Sequence, residues 1–253
     1  MKEPKEEKII IIAEGASNHL GDIKKAKEMI WQAKEAGADY IKFQSWQVKN
    51  LTSNNPALVQ RFRERELSDE DHFVLRDECK KAGINFLTTC YDIGRIPFLK
   101  SLDLETIKVG SGDVTSIKML KLLRENFAHI IFSTGMATDE EVEKAVEVLK
   151  SGEFSLLHCV SLYPTPLEMV NLARMNWLKK FTNRVGFSDH TIGTEAAKIA
   201  LALGAKIIEE HFTLKIDSND KFSVICATPE MLKEIVSFKE AVQRCIGREK
   251  REL

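Results

Sequence analysis

The sequence predicts an α/β protein, and specifically a single-domain (β/α)8 barrel. Eight apolar runs alternate with eight helical patterns along 253 residues, which is a usual length for one such barrel. Several of the runs are continuously apolar and rich in β-branched residues, as parallel strands covered on both faces are. Polar or charged residues follow every run, where a barrel of this kind places its functional groups.

Apolar runs and helix-capping residues define the first four strand–helix units. Residues 9–13 form a β-branched run that suits a buried strand, and Asp22 can cap the helix that follows. A polar loop is predicted at 46–67, before a helix that Ser68 begins and Gly83 ends. The predicted strands here are 9–13, 40–44, 84–89 and 106–109, and the predicted helices are 22–36, 68–83, 93–101 and 116–125.

Apolar runs and helix-capping residues also define the last four strand–helix units. Gly204 closes an Ala-rich helix, and Pro229 stands at the first position of the final helix. The predicted strands are 129–133, 155–160, a run ending at 188–191, and 205–210, and the predicted helices are 139–150, 172–180, 194–203 and 228–245. A doubly wound sheet is the competing fold, but it usually carries a Gly-rich fingerprint after its first strand, which residues 15–21 do not match. We therefore expect a charged tail at 1–8 and one barrel domain at 9–253.

Bulk composition argues against several classes of protein. The net charge of −1 predicts no nucleic-acid partner and no membrane-surface partner. No window approaches the ~18 uninterrupted apolar residues of a membrane-spanning helix, and the charged start of the chain lacks the apolar core of a signal peptide. Five scattered cysteines without a Cys-x-x-Cys pair indicate reduced thiols, so we expect a cytoplasmic protein.

Two lysines lie inside predicted strands and are the most informative charged residues. Lys42 and Lys108 each stand between apolar neighbours, so strand alternation turns both ammonium groups toward the barrel interior. A buried ammonium needs a counter-ion, and an internal ion pair or an edge strand facing water would explain either lysine alone. Hydroxyl groups at the same level favour a bound polyanion, such as a phosphorylated and carboxylated small molecule; they belong to Thr89, Ser111, Ser133 and Ser188.

Two histidines end two successive predicted strands and are candidate metal ligands. His190 and His211 would share one level of the barrel mouth, and imidazole pairs suit a divalent metal such as Mn²⁺, Zn²⁺ or Fe²⁺. Two ligands alone are weak support, because catalytic zinc usually has three protein ligands. Glu14, Glu209 or Asp220 is a candidate to complete the coordination sphere, directly or through water.

The remaining histidines have simpler interpretations. His72 and His129 are expected on the surface, and His158, inside an apolar strand, is expected to be a hydrogen-bonded core residue. His19 is either a site residue or a loop-packing residue. Cys90 is a conceivable metal ligand, although a lone cysteine in this position is more often simply packed.

A set of short motifs, taken together, resembles the sialic acid synthase (N-acetylneuraminate synthase) family from residue 9 to about residue 241. The motifs are Ala13-Glu14, Asn18-His19, Gly21-Asp22, Gly37-Ala38-Asp39, Ile41-Lys42-Phe43-Gln44, Lys108-Val109-Gly110-Ser111-Gly112-Asp113, Ser133-Thr134-Gly135-Met136-Ala137-Thr138, His158-Cys159, Tyr163-Pro164-Thr165-Pro166, Ser188-Asp189-His190-Thr191 and His211-Phe212-Thr213. The resemblance implies a metal-dependent transferase that condenses phosphoenolpyruvate with an N-acetylated amino sugar or related aldose. The product would be a nonulosonic, sialic-acid-like 2-keto-3-deoxy sugar acid, released with phosphate.

The resemblance also implies roles for individual residues. His190 and His211 would hold the metal, with Mn²⁺ expected first and Mg²⁺ or Zn²⁺ as alternatives, and Glu14 would act with them in catalysis. The residues implied to bind phosphoenolpyruvate are Lys42, Thr89, Lys108, Ser111, Ser133 and Ser188. The residues implied to face the acceptor sugar are Gln44, Ser161, Tyr163 and Asp220.

Three departures from the family pattern all touch the acceptor side. Family members usually carry a C-terminal antifreeze-like domain that reaches a partner subunit's site, and the sequence to Leu253 predicts the catalytic barrel alone. The loop at 214–221 is short, with Asp220 expected to keep an acidic position, and Ser161 stands where an Asn is often found. We therefore expect phosphoenolpyruvate and an aldose as ligands, and as protein partners a homo-oligomer or a separate antifreeze-like protein.

Two other functions remain open from the sequence. One is a metal-dependent aldolase or lyase that acts on another carbonyl substrate. The other is a ligand-binding barrel that needs a separate antifreeze-like partner for turnover.

Overall fold

In the computed structural model, eight parallel strands close into one barrel in which every strand pairs with its neighbours in chain order. The structure describes residues 8–51, 53–218, 220 and 222–246, so most of the expected tail at 1–8 lies outside the described residues. The strands are β1 (Ile10–Ala16), β2 (Tyr40–Ser45), β3 (Asn85–Cys90), β4 (Thr106–Val109), β5 (His129–Ser133), β6 (Glu153–His158), β7 (Val185–Asp189) and β8 (Ile207–His211). The predicted (β/α)8 fold is confirmed.

Helices follow the strands and lie outside the barrel. They are α1 (Ile23–Glu35), α2 (Pro56–Glu64), α3 (Asp69–Ala82), α4 (Ile96–Ser101), α5 (Ile117–Asn126), α6 (Asp139–Leu149), α7 (Arg174–Leu178), α8 (Glu195–Ala202) and α9 (Pro229–Ile246). The predicted caps are present: the Asp22 carboxylate accepts the Lys24 N–H at 2.8 Å, and Gly83 ends α3 in the left-handed conformation. Within the described part of the chain, no helix is long and apolar enough to cross a membrane.

Helix α2 corrects the prediction of a plain polar loop at 46–67. The side chain of Asn55 accepts the N–H groups of Ala57 and Leu58, and Pro56 occupies the first turn, so the Asn-Pro pair starts a helix. A short 3₁₀ turn at Val48–Asn50 precedes it. The connection between β2 and α3 therefore contains a helix, and Phe62 of α2 packs against Trp46 after β2.

The lower half of the barrel interior is filled by a separate apolar cluster. Strand alternation directs one residue from each of five strands inward, and all five are at most 2% exposed. We call them the lower interior layer: Ile12, Leu87, Ile131, Leu157 and Ile207. A Cβ atom added at Gly186 of β7 would stand 2.2 Å from the Ile207 carbonyl oxygen, so the interior is packed and is not a pore.

Two of the expectations for histidines need separate comment. His72 is fully buried, not on the surface: it lies on the inner face of α3, packs edge-on to Phe98 and donates Nδ1–H to the Ser68 carbonyl at 2.8 Å. The sequence prediction missed this because three acidic residues open the helix and obscure its buried face. His158 is the expected core histidine, and its Nε2–H donates to the Val170 carbonyl at 2.6 Å.

Candidate active site

A cavity of about 220 Å³ opens at the carboxyl ends of the strands, directly above the lower interior layer. Its floor is formed by inward-pointing residues of seven strands, and those on β1, β3, β5 and β8 stand two positions after a residue of the lower interior layer, because side chains at i and i+2 point to one side. We call these inward polar residues the upper interior layer: Glu14, Lys42, Thr89, Lys108, Ser133, Ser188 and Glu209. Each is at most 5% exposed.

Two lysines and two glutamates form a buried charge network in this layer. Lys42 Nζ contacts Glu14 and lies 2.9 Å from Glu209 Oε2. Lys108 Nζ lies 3.7 Å from Glu209 Oε1 and donates to Ser133 Oγ at 2.6 Å. Glu209 therefore bridges both ammonium groups. The internal ion pairing that strand alternation left open as an alternative is present.

Burial and pairing shift the pKa values of these four groups in different directions. Burial raises the pKa of Glu14 to about 7 against the lowering effect of Lys42. Burial opposes ionisation of Glu209 too, but the two lysines lower its pKa to about 2. Burial lowers the pKa of Lys108 to about 8, whereas Glu14 and Glu209 overcome burial and raise the pKa of Lys42. Glu209 is thus a fixed anion, and Glu14 can gain or lose a proton near neutral pH.

Hydroxyl groups complete the floor and one wall. Ser188 Oγ donates to Glu209 Oε1 at 2.8 Å, and Ser111 Oγ accepts the Gly135 N–H at 3.0 Å. The Gly135 position is crowded, because an added Cβ atom would stand 2.4 Å from Cys159 Sγ, so the loop after β5 can approach Ser111 only with glycine there. The Thr89 hydroxyl has no partner among the described residues and remains available to a ligand.

His190 and His211 face each other on the opposite wall, with ring centroids 5.3 Å apart. The Nδ1–H of His190 donates to the Val160 carbonyl at 2.7 Å, which leaves the lone pair on Nε2. Burial lowers the pKa of His190 to about 4 and that of His211 to about 3, so both imidazoles are neutral at pH 7. The Tyr163 ring packs against the His190 ring at a centroid distance of 4.2 Å, with the two planes tilted by 32°.

The histidine pair fits a divalent cation with only part of its coordination sphere supplied by the protein. Two neutral imidazoles, one held by a backbone carbonyl, are suitable ligands. No group of three or more His, Cys, Asp or Glu able to hold a metal occurs within the described ranges. Glu14 and Glu209 are engaged with Lys42, and Asp220 lies 3.8 Å from Arg61. Further ligands would therefore come from water or substrate.

The cavity brings together every residue to which the resemblance assigned a role except Asp220, and neither His19 nor Cys90 is in its lining. Gln44, Ser161 and Tyr163 line it with the lysines, hydroxyls and histidines, whereas Asp220 is not part of its lining. Tyr91 and Cys159, for which the sequence predicted no role, also line the cavity. Strand alternation was a usable signal for both, because each stands two positions after an inward residue of β3 or β6.

The fold and the cavity define a (β/α)8 barrel with a charged, histidine-bearing site at the carboxyl ends of its strands. The sequence profile of the NeuB family matches residues 29–251. An N,N'-diacetyllegionaminic acid synthase of Campylobacter jejuni is 36% identical over 95% of this chain and 78% of its own length. The human N-acetylneuraminate-9-phosphate synthase is 31% identical over 94% of this chain and 71% of its own length.

A solved structure agrees with these sequence relatives. The N-acetylneuraminic acid (sialic acid) synthetase of Leptospira borgpetersenii, determined in complex with citrate, superposes with a TM-score of 0.93 at 32% identity. The match covers 97% of this chain and 87% of that one. The chain therefore belongs to the NeuB family, and the resemblance to sialic acid synthases inferred from its motifs is confirmed.

Proposed function

We propose that this protein condenses phosphoenolpyruvate with an N-acetylated amino sugar or a related aldose, giving a 2-keto-3-deoxy sugar acid and inorganic phosphate. The observation that carries the proposal is the upper interior layer: two buried lysines share a cavity with unpaired or reorientable hydroxyls and face a histidine pair. The names of the relatives, which are synthases of sialic, legionaminic and related acids, support the same class of product.

The donor half of the site would bind the anionic groups of phosphoenolpyruvate. Lys42 and Lys108 supply positive charge on rigid strands, and Thr89, Ser111 and Ser133 supply hydroxyls at the same level. Lys108 is the better phosphate ligand of the two lysines, because its contact with Glu209 is longer and its other partners are a hydroxyl and a carbonyl. The charge network holds both ammonium groups in place before substrate arrives.

The acceptor half would place the sugar aldehyde near His190 and His211. These two side chains would hold a divalent cation, for which we propose Mn²⁺, with Mg²⁺ and Zn²⁺ as alternatives. When bound, the cation would supply Lewis-acid polarisation of the carbonyl. Tyr163 packs against the His190 ring and would hold it in place, and Gln44 and Ser161 line the cavity where the sugar would lie.

The reaction that fits this arrangement forms one carbon–carbon bond and breaks one carbon–oxygen bond. C3 of phosphoenolpyruvate attacks the sugar aldehyde carbon, whose oxygen takes up a proton and becomes a hydroxyl, and water adds to C2, where positive charge develops. Glu14, whose pKa lies near 7, is placed to accept the proton of that water. The resulting tetrahedral carbon expels phosphate with its bridging oxygen, so the new keto oxygen comes from water.

The test is phosphate release from phosphoenolpyruvate with Mn²⁺ and a panel of N-acetylated hexosamines and other aldoses. We expect release that depends on the acceptor and is lost in Lys108→Ala. An aldolase acting on another carbonyl substrate would turn over without phosphoenolpyruvate and would tolerate this change. The matched control is Lys239→Met, because Lys239 is also a buried lysine but pairs with Asp39, outside the cavity.

Isotope labelling tests the position of bond cleavage independently. Phosphoenolpyruvate carrying ¹⁸O in its bridging oxygen should yield phosphate that retains the label. Unlabelled phosphate would mean P–O cleavage and would contradict the proposed chemistry. Absence of phosphate release with every acceptor, from folded protein supplied with metal, would contradict the proposed function itself.

A further inference from the structure

A second cavity lies at the opposite end of the barrel, where the strands begin. It measures about 300 Å³, compared with about 220 Å³ for the candidate active site. Ile10, His129 and Ser155 line it and stand two positions before residues of the lower interior layer, so they form the next level down on the same strands. Ile207, which belongs to that layer, closes its upper side. We call this space the basal cavity, and no described residue lines both cavities.

The lining of the basal cavity is basic. Arg184 and Lys206 immediately precede β7 and β8, Lys8 stands two residues before β1, and His129 is the first residue of β5. The beginnings of parallel strands meet at one end of a barrel, so residues that are far apart in the chain surround a single space here. Among the described residues of the lining, none is an aspartate or a glutamate.

Lys206 is the residue that points most directly to a ligand. Its side chain is half-buried and makes no ion pair with any residue in the described part of the chain. Its backbone is fixed on both sides, because its N–H donates to the Val185 carbonyl at 2.8 Å and its carbonyl accepts the Ile10 N–H at 2.9 Å. A partly buried ammonium group without a counter-ion on the wall of a cavity is the charge that a bound anion would balance.

The other cations at this end of the barrel have partners but still leave an excess of positive charge. Arg184 Nη1 lies 3.0 Å from Glu153 Oε2, and Lys8 Nζ lies 2.6 Å from Asp39 Oδ1. Asp39 is shared, because Lys239 Nζ lies 3.6 Å from its other oxygen. With the unpaired lysine before β8, four cations therefore meet two carboxylates in this group, which leaves two positive charges.

Hydrogen-bonding groups and apolar surface complete the basal cavity. Ser155 Oγ and His129 Nε2 are 2.9 Å apart. Burial and the nearby Arg184 guanidinium lower the pKa of His129 to about 4, so its imidazole is neutral at pH 7 and serves as a hydrogen-bonding group. Ile10 and Tyr40 add apolar surface. Sites for small molecules usually measure about 300–1,000 Å³, and this volume lies at the lower end of that range.

The geometry of the donors favours a phosphate group over a carboxylate. The basic groups come from separate strands and approach the cavity from different sides. The oxygens of a tetrahedral phosphate accept hydrogen bonds in several directions, whereas the acceptor positions of a carboxylate lie near one plane. The two excess positive charges match the charge of a phosphate dianion.

We propose that the basal cavity binds a phosphate dianion, either as free inorganic phosphate or as the phosphate group of a small phosphomonoester. Lys206 provides the balancing charge, Arg184 provides a second cation at the rim, and Ser155 provides a hydroxyl. The site is separate from the central cavity: Lys206 stands five residues before His211, which is about 16 Å along β8. The inference does not depend on the reaction proposed above.

Binding can be measured without turnover through His129. The chain has six histidines, so the imidazole Cε1–H region of a ¹H–¹³C NMR spectrum contains few signals, and His129→Gln assigns the one at the basal cavity. We expect this signal to shift saturably with inorganic phosphate or glycerol 3-phosphate at constant ionic strength. Succinate should require a roughly tenfold higher concentration or more. Tighter binding of inorganic phosphate would identify the free ion as the ligand, and tighter binding of glycerol 3-phosphate would identify a phosphomonoester.

Variants of the basic residues locate the effect. Lys206→Met should raise the half-saturating phosphate concentration roughly tenfold or more. Arg184→Gln, at the exposed rim, should raise it roughly twofold to fivefold and provides a second variant. The matched control is Lys198→Met, because Lys198 is also half-buried but pairs with Glu234 and does not line the basal cavity. It should bind phosphate as the parent protein does.

The signals of His190 and His211 separate the two cavities in the same spectra. Phosphate that binds only in the central cavity would shift these signals and leave the His129 signal in place, which would overturn the proposal. An equal shift of the His129 signal with sodium chloride, or an equal response in Lys206→Met and the parent, would also overturn it. Failure to release phosphate from phosphoenolpyruvate would overturn the proposed reaction alone, because this titration requires no turnover.

Discussion

The two interior layers of the barrel share four strands, on which their residues stand two positions apart, and they differ completely in chemistry. Ile12 is followed by Glu14, and Ile207 by Glu209; both pairs point inward and are almost fully buried. Below, apolar side chains pack against one another and against Ile10 and Tyr40. Above, every polar group needs a partner of opposite charge or a hydrogen bond.

The difference shows that one part of the barrel interior stabilises the fold and another part holds the reactive groups. Apolar burial in the lower layer stabilises the closed sheet without requiring particular partners. The upper layer contains buried charges whose desolvation offsets much of their attraction, so it contributes little net stability but holds charge in a fixed geometry. Substitutions in the lower layer should therefore affect stability alone, whereas those in the upper layer should also affect activity.

The largest effect is expected from Lys42→Met in the upper layer. Its removal leaves Glu14 and Glu209 without their shared counter-ion, which should destabilise the fold by about 3–5 kcal/mol. Loss of a preorganised charge should also lower kcat/KM by roughly 10²–10³-fold. Urea unfolding and phosphate release measure the two effects. Lys239→Met, the buried lysine outside the mouth, should leave kcat/KM unchanged.

Leu157→Ala in the lower layer should be costly for stability alone. Leu157 is fully buried, and truncation leaves a cavity, with an expected loss of about 2–5 kcal/mol in the free energy of unfolding. At a temperature where the variant is folded, kcat should stay within a few-fold of the parent. Leu203→Ala, at a half-exposed position, is the control and should change stability by about 0.5 kcal/mol or less. A catalytic defect as severe as that of Lys42→Met would show that the lower interior layer also contributes to catalysis.

His190→Ala tests whether the histidine pair of the upper half of the barrel binds the metal. Removing one imidazole should weaken Mn²⁺ binding by roughly tenfold or more, measured by direct titration with the metal. Chelation of the metal should abolish phosphate release reversibly. His129→Ala, which removes a histidine at the other end of the barrel, should bind Mn²⁺ as the parent does. Equal Mn²⁺ affinity in the two variants would exclude His190 as a ligand.

The smallest effect is expected from valine substitutions at two adjacent residues of β3, which should differ in their KM for phosphoenolpyruvate. Thr88 and Thr89 are both buried, and neither hydroxyl has a partner among the described residues, but only Thr89 lines the central cavity. Valine should stabilise the protein at either position by about 1 kcal/mol, because it removes an unpaired hydroxyl. Only Thr89→Val should raise KM for phosphoenolpyruvate. A raised KM in Thr88→Val would mean that the effect spreads through the strand.

Local pattern was sufficient to predict much of this molecule. Periodicity and caps predicted eight strand–helix units, and alternation directed Lys42 and Lys108 inward. The partners of these lysines were harder to predict, because Glu14 and Glu209 meet only where the last strand pairs with the first. Apolar runs do not specify that register. The position of Glu209 two residues before His211 was the only local signal.

Features built from loops were the least predictable. Helix α2 lies in a segment that the sequence predicted to be a polar loop. Trp46 after β2 contacts Phe62 in α2 and Tyr91 after β3. No periodicity links these three residues, since their meeting depends on how the connections fold over the mouth. His72 was missed for a related reason, because charged neighbours concealed the buried side of its helix.

Closure of the barrel between β1 and β8 has a consequence for how activity arises during folding. Lys42 on the second strand is held by carboxylates from the first and the last, and the Phe212 N–H donates to the Glu14 carbonyl across the same seam at 2.8 Å. Such contacts between distant parts of the chain form late, because loop closure over the whole barrel must come first. A nascent chain with seven strands would lack both Glu209 and His211. Catalytic competence should therefore appear in one step, when the last strand docks, and can serve as a direct assay of complete folding.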